Sequence, residues 1–594
     1  MGQFFKFLLA SCLGVFLAIG AITGIGALIL TSIAASAEKP VEVKPNSVLH
    51  LTFAEPIPEH TNNVNSSPFD SGFEDVTVLG LHDMVDAIER ATEDDNIKGI
   101  FLEPSLMFSA GFTTARSIRE AIEDFKDSGK FVMSHSGFYT QGQYYLCSAA
   151  NEIYSNPMGY FEVRGFVAQR AFYKDMLDRL GVKMQIFYAG KFKSATEPYR
   201  RDDMSPESKQ QLREMLADYY GVFLDDVSQS RDMDRADLKR IVDEFLADTP
   251  ENALENKLID GIDYRENVIA RMKERAGLDE DDKLPLVKLK DYNRSNPEKK
   301  NYKAKDRVAV VYAEGTIIDG KGQNGSTGDR KYVKDIRKLA KDDRVKAIVL
   351  RVNSPGGSAL ASENIWNAIN LAKDNDKKVV VSMGDYAASG GYYIACNADS
   401  IFAQVNTLTG SIGIFRTIPV VGGATKKHLG ISYDSVLTSP LAMPLNVTYE
   451  MSEAEKRKMQ ASTEQGYQEF LKRVAEGRDM TIDEVHKIAQ GRVWTGQKAV
   501  KNGLVDRIGD LEDALASAAN LAELDEYRIV EYPKVKDPLQ QLIEDLMNPG
   551  SSVLKSEKIL QKEFPSVAPY YKLLKEVEQA KGPQARMMVK VPFE

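Results

Sequence analysis

Three short stretches in the second half of the 594-residue chain carry residue types able to do covalent chemistry. They are Asn353-Ser354-Pro355-Gly356-Gly357-Ser358, Ala387-Ala388-Ser389-Gly390-Gly391-Tyr392-Tyr393 and Leu408-Thr409-Gly410-Ser411-Ile412-Gly413. Glycine lets backbone N–H groups approach a ligand closely, and such turns build oxyanion holes or phosphate cradles. Neither GxGxxG nor GxxxxGK[ST] occurs in the order a nucleotide site needs, so phosphate binding is disfavoured. A serine in such a turn needs a base before it is a nucleophile. The six histidines are His50, His60, His82, His135, His428 and His486, and none lies in a glycine-rich turn of the second half. Lysine is the other base, provided that burial or nearby positive charge lowers its pKa from about 10.4. Lys191 and Lys193 of Gly190-Lys191-Phe192-Lys193-Ser194-Ala195 are the candidates, and both lie in the first half.

The elements that position these residues are read from an internal repeat. Asp95-Asn96-Ile97-Lys98-Gly99-Ile100-Phe101-Leu102 recurs as Asp343-Arg344-Val345-Lys346-Ala347-Ile348-Val349-Leu350, and Tyr144-Tyr145 recurs as Tyr392-Tyr393. Arg231-Asp232-Met233 returns as Arg478-Asp479-Met480. Each glycine-rich turn follows a strand-like segment: Ala347–Val352, Val379–Met383 and Ser400–Val405. With Val308–Tyr312 as a further strand and helical spacing over Tyr332–Ala340, each copy reads as alternating strand and helix, an α/β layer structure. Aligned copy on copy, Lys193 falls opposite Ala442 and Ser411 opposite Val163. Each half has at one position what the other lacks, the pattern expected of a composite site. The predicted organisation is a membrane segment at 7–36, a first repeat at 47–291 supplying the lysine, a polar linker at 292–305, a second repeat at 306–530 supplying the serine, and a helical tail at 531–594.

Composition bounds the function. The chain is 43% hydrophobic and 27% charged with a net charge of −10, against disorder and against the concentrated basic face of a nucleic-acid binder. Three cysteines make neither a disulfide framework nor a structural zinc site, and no motif demands a cofactor or metal. From Phe7 to Ala37 there is no charged residue, longer than the roughly 20 apolar residues a spanning helix needs. Ala35-Ser36-Ala37 looks like a signal cleavage site, but a signal's apolar region is typically about 7–15 residues, so an uncleaved anchor is expected. Lys6 ahead of the span gives an N-in orientation.

The motifs Ser354-Pro355-Gly356-Gly357-Ser358, Ala387 to Tyr393, Thr409-Gly410-Ser411-Ile412-Gly413 and Gly190-Lys191-Phe192-Lys193-Ser194-Ala195-Thr196-Glu197-Pro198 together resemble the signal peptide peptidase (SppA, protease IV) family in its long, duplicated form. The resemblance implies a tandem duplication of a Clp-protease/crotonase-like α/β domain. It also implies a Ser/Lys dyad split between the halves, and a homotetramer on the outer side of the bacterial inner membrane that cleaves remnant signal peptides and other hydrophobic peptides. Carried over, Ser411 is the nucleophile, Lys193 the base, and the backbone N–H groups of Gly356 and Gly357 the oxyanion donors. Ser389 is the rival nucleophile, set behind because the following glycines and Tyr392-Tyr393 suggest packing. Lys191 is the rival base. A crotonase-like acyl-CoA enzyme and a non-catalytic membrane scaffold of the same fold are the competing readings.

Overall fold

The computed structural model describes residues 42–64, 77–105, 108, 110–298, 301–535 and 582–587, with Lys6, Gly14 and Gly20. The expected membrane segment 7–36 therefore lies, those two glycines apart, outside the described residues. Among the described residues, no helix is long and apolar enough to cross a membrane.

The first repeat contains β1 (Ser47–Leu51), β2 (Ile97–Leu102), β3 (Phe131–Thr140), β4 (Glu152–Glu162), β5 (Lys183–Ala189), β6 (Gly261–Ile262) and β7 (Leu286–Lys288). Its sheet runs β6-β4-β3-β2-β1-β7, and β5 stands apart from it. Every pairing in this sheet is parallel. Parallel strands need crossover helices, here Leu81–Glu93 between β1 and β2 and Phe112–Asp127 between β2 and β3.

The second repeat contains β8 (Arg307–Glu314), β9 (Thr316–Ile318), β10 (Ser326–Gly328), β11 (Val345–Ser354), β12 (Gly356–Ser358), β13 (Lys378–Ala388), β14 (Ser400–Ala403), β15 (Leu408–Gly410), β16 (Ile414–Val420), β17 (Val493–Thr495), β18 (Arg507–Ile508) and β19 (Arg528–Tyr532). Its sheet repeats the order of the first. β19 flanks β8 as β7 flanks β1, β11 and β13 follow, and β18 pairs β14 as β6 pairs β4. The central strands carry apolar runs, such as Val379-Val380-Val381, because helices cover both faces of the sheet. The predicted strand segments fall within β8, β11 and β13, Ser400–Val405 runs two residues past the end of β14, and the helical spacing falls within the helix Asp329–Ala340.

Two differences concern the ends of the predicted segments. The helix Leu289–Ser295 runs into the start of the predicted linker. The tail, predicted helical, has strand and no helix among its described residues: the end of β19, and β20 (Gln584–Arg586). Residues 536–581 and 588–594 of the predicted helical tail lie outside the described residues. β20 belongs to a third sheet, ordered β10-β9-β12-β20-β16-β5, which takes strands from both repeats.

A buried polar seam also joins the repeats. Glu59 pairs with Arg351 at 2.8 Å and accepts from Asn353 at 2.8 Å. Thr114 donates to Asp385 through its N–H at 3.0 Å and its hydroxyl at 2.6 Å. The Glu314 carboxyl, which accepts from the Glu59 N–H, is pushed up to about 7 by burial and by the Glu59 charge.

Candidate active site

Lys193 enters the second repeat by way of an exchanged strand. β5 runs antiparallel to β16, with Lys183 opposite Val420 and Ala189 opposite Ile414. The chain then turns at Gly190, where φ is +105 and a Cβ would overlap the Gln490 carbonyl; only glycine makes this corner without strain. Phe192 N–H donates to the Gln490 carbonyl at 2.9 Å, and Ser411 N–H donates to the Arg492 carbonyl at 2.7 Å. Between them Gly491, at φ +79, lies against the Lys193 backbone, so closely that a Cβ would come within 2.7 Å of the Lys193 Cα. The lysine and Ser411 are therefore fixed to the same loop, Gln490–Arg492.

The helix Pro206–Ser230 of the first repeat grips that loop from the other side. Gln211 donates to the Phe192 carbonyl at 3.2 Å and accepts from Val493 N–H at 3.2 Å. Glu214 pairs with Arg492, and Asp218 with Lys498.

The Lys193 ammonium nitrogen ends among three oxygens. Nζ lies 2.8 Å from Ser389 Oγ, 2.9 Å from the Ser411 carbonyl and 3.1 Å from Ser411 Oγ. Lys193 is 2% exposed, Ser389 0% and Ser411 3%. Burial without a compensating carboxylate disfavours the charged amine and brings its pKa down to about 7. A neutral amine offers two N–H donors and one lone pair. The Ser411 carbonyl accepts only, so it takes one N–H, and the lone pair is open to a serine hydroxyl.

The two serines differ in their backbones and neighbours. Ser389 has φ 57 and ψ −116 at the junction of β13 with the helix Gly390–Ala395, a sparsely populated conformation for a residue with a side chain. It is held by Ser389 N–H donating to the Gly410 carbonyl at 2.8 Å and by its own carbonyl accepting from Tyr393 N–H at 2.8 Å. The peptide after it abuts the glycine corner of β12, where a Cβ on Gly390 would stand 3.2 Å from Gly356 Cα. Ser411 (φ 50) lies on the far side of the amine and engages it through both carbonyl and hydroxyl.

The chain matches the peptidase family S49 over residues 124–279 and 371–525, once in each repeat, and the Clp protease family over 299–407. The chain belongs to peptidase family S49. It is 38% identical over 474 residues to Protease 4 of Salmonella typhi, covering 78% of this chain and 76% of that one. It is 31% identical over 551 residues to the chloroplastic serine protease SPPA of Arabidopsis thaliana, covering 92% and 78%. A putative signal peptide peptidase SppA of Enterococcus faecium matches 38% of this chain at 35% identity, over 67% of its own length. The S49 chain is thus a serine peptidase, and the acyl-CoA and non-catalytic readings are set aside.

Within this S49 peptidase the structure brings together Lys193, Ser411, Ser389, Gly356 and Gly357. It leaves Lys191 outside, exposed with its ammonium over the Phe192 ring at 5.3 Å. Gly356 N–H already donates to Ser354 Oγ at 3.1 Å, which leaves Gly357 of the expected pair. The six histidines have partners elsewhere: Glu103 for His50, the Tyr312 ring for His60, Glu512 for His82, and the Asp263 carbonyl for His135. His428 meets the Leu180 carbonyl, and His486 the Tyr467 hydroxyl. Gln211 and the loop Gln490–Arg492 were missed by sequence reasoning. Gly491 carried a signal, a glycine between polar residues, but nothing in the sequence ties it to a lysine in the other repeat.

Proposed function

We propose that this S49 peptidase is a serine endopeptidase with a Ser/Lys dyad drawn from both repeats, in which Ser389 is the nucleophile and Lys193 the general base. The observation that carries this reading is the buried Lys193 Nζ at 2.8 Å from Ser389 Oγ. Neutral Lys193 takes the Ser389 proton as Oγ attacks a peptide carbonyl carbon. The oxyanion is met by the N–H groups of Gly357 and Gly390, each worth a few kcal/mol when preorganised. The ammonium then gives its proton to the departing amine. Water, deprotonated by the same lysine, hydrolyses the acyl-enzyme and restores Ser389. Ser411 anchors the amine through its carbonyl and hydroxyl.

A second reading keeps the sequence-based preference, Ser411 as nucleophile, and is favoured by its hydroxyl 3.1 Å from the same nitrogen. Against it stand the position of Ser389 beside the glycine corner and the use of the Ser411 carbonyl by the lysine. A fluorophosphonate probe followed by peptide mass spectrometry decides between them. The adduct is expected on Ser389, lost in Ser389→Ala and Lys193→Ala and retained in Ser411→Ala; an adduct on Ser411 reverses the assignment.

The proposed substrates are signal peptides already released by signal peptidase, and other apolar peptides. Support comes from the relatives' names and from the apolar run at 7–36, which we take as an anchor holding both repeats on the extracytoplasmic side of a bacterial inner membrane as a homotetramer. Hydrolysis of a synthetic signal peptide in detergent, in preference to a charged peptide of equal length, tests the substrate class.

A further inference from the structure

Glu314 ends β8, where the second repeat meets the loop 59–63 of the first. Its Oε1 accepts from the Glu59 N–H at 3.0 Å and its Oε2 from Asn63 Nδ2 at 2.5 Å. The Asn63 amide is held in that orientation, because its Oδ1 accepts from the Gly325 N–H at 3.0 Å. The next residue, Gly315, carries the connection on to the glycine turn of the site. Gly315 N–H donates to the Asn353 carbonyl at 2.9 Å, and the Gly315 carbonyl accepts from Ser354 Oγ at 2.6 Å. The same Ser354 Oγ accepts from the Gly356 N–H at 3.1 Å. There is no slack in this link: Gly315 has φ +76, and a Cβ on it would stand 2.0 Å from the Gly325 carbonyl oxygen. Ser354 is packed from the other side as well, since a Cβ on Gly391 would stand 2.5 Å from its carbonyl oxygen.

Stability does not account for the carboxyl at this point. Glu59, Glu314 and Asp385 share the seam with one guanidinium, that of Arg351, and buried carboxylates in excess of cations cost stability. The contacts are nevertheless specific for ionised Glu314. Both groups facing its oxygens are donors, so a carboxylate satisfies both, whereas the protonated acid sets its own hydrogen against one of them. The charged groups around it are Glu59 on the loop 59–63, Arg351 on β11 and, behind Glu59, Asp385 on β13. The Tyr332 hydroxyl, on the helix Asp329–Ala340, is neutral and donates to the Tyr312 carbonyl at 2.6 Å. Burial and the Glu59 charge push the Glu314 carboxyl up to about 7, so both of its forms are populated near neutrality.

We propose that Glu314 is a positioning residue for the peptidase, an inference that rests on the peptidase reading of the site: its carboxylate fastens the loop 59–63 to Gly315, and through Gly315 and Ser354 it sets the turn that carries Gly356 and Gly357. Glu314 touches no reacting atom. It acts on the oxyanion donors, so its loss weakens transition-state binding more than substrate binding. As the pH falls through about 7, Glu314 takes a proton and gives up the Asn63 contact, and Lys193 takes a second proton. Either event lowers turnover, so log kcat/KM falls below that pH with a slope approaching two.

The test uses full-length chains and a quenched-fluorescent apolar peptide. Glu314→Gln keeps an acceptor for the Glu59 N–H but sets an amide nitrogen against Asn63 Nδ2. It is expected to lower kcat at least ten-fold, leave KM within two-fold and reduce the acid-limb slope from two to one. Asn63→Asp added to Glu314→Gln reverses donor and acceptor in that contact with the charge of the seam unchanged, and should bring kcat back to within three-fold of the parent. An unaltered kcat in Glu314→Gln, or a loss that Asn63→Asp does not repair, overturns the inference. Should either variant fold poorly, the unaltered chain decides, and an acid-limb slope of one refutes the role. A chain that turns over no peptide and takes no fluorophosphonate sinks the peptidase reading instead. Positioning is then read in Lys193→Met carrying isotope-labelled glycine. Its Gly315 and Gly356 amide resonances are expected to move with a midpoint of about pH 7 and to stand still once Glu314→Gln is added; resonances that do not move with pH overturn it.

Discussion

Replacing Lys193 with methionine separates the lysine's chemical role from its structural cost. The amine's ordinary value of 10.5 falls to about 7, and at about 1.36 kcal/mol per pH unit burying it costs about 5 kcal/mol at pH values below the folded value. The folded value lies below the unfolded one, so between pH 7 and 10.5 the unfolded chain holds the extra proton and stability rises with pH. Below pH 7 the penalty is present in full; above 10.5 it is gone. Methionine has similar length and no charge, so Lys193→Met removes the penalty. It also strips Ser389 and Ser411 of a partner, at roughly 1–3 kcal/mol per buried group, a loss that does not depend on pH. The diagnostic quantity is therefore the difference in Tm between variant and unaltered chain, which is expected to narrow against the variant by several degrees from pH 7 to pH 10. In the same series kcat/KM of the unaltered chain rises with pH through about 7, and the variant loses roughly 10²–10⁴-fold, the usual worth of a general base. A Tm difference that stays flat across this range would falsify the neutral-lysine argument.

Ser411→Ala should keep probe labelling on Ser389 but move the pH profile of kcat/KM, because the lysine loses one of its three oxygens; an unmoved profile removes Ser411 from lysine positioning. Gly190→Ala places a Cβ against the Gln490 carbonyl at φ +105 and should abolish peptidase activity while circular dichroism stays near that of the parent. Glu59→Ala leaves buried Arg351 uncompensated and should destabilise the chain by about 3–5 kcal/mol, read as a lower thermal midpoint; Arg351→Met together with Glu59→Gln should recover part of it. The second repeat alone, Asp306 onward, lacks Lys193 and should hydrolyse no peptide; full activity from it would mean that the base lies elsewhere.

The doubly used α/β unit was legible because its strands are buried on both faces and so leave unbroken apolar runs, such as Ala347–Leu350, ahead of glycine turns. The lysine was legible for a different reason, since Lys193 against Ala442 showed where the two copies had parted. Between Lys191 and Lys193 the local sequence is symmetrical, and burial decides: the turn at Gly190 sends one side chain to solvent and the other inward. Ser389 and Ser411 both sit in glycine turns, and the sequence reading placed Ser411 first because the glycines and Tyr392-Tyr393 after Ser389 suggested packing. What separates them is the backbone at Ser389 and its contact with Gly356, both products of the tertiary fold. β20 was missed because three residues are too few for a period-2 pattern, and its partners are a glycine corner hundreds of residues upstream.

The antiparallel pair of β5 and β16 has a consequence for assembly. It is the kind of pairing that separate subunits make when one lends a strand to the next. Held in one polypeptide, the lender and the borrower are always present in equal number, and dilution cannot part them. The proximity of Lys193 to Ser389 and Ser411 is therefore independent of protein concentration. Each half was also released from carrying a complete set of reactive groups, since a position lost in one copy is covered by its covalent neighbour.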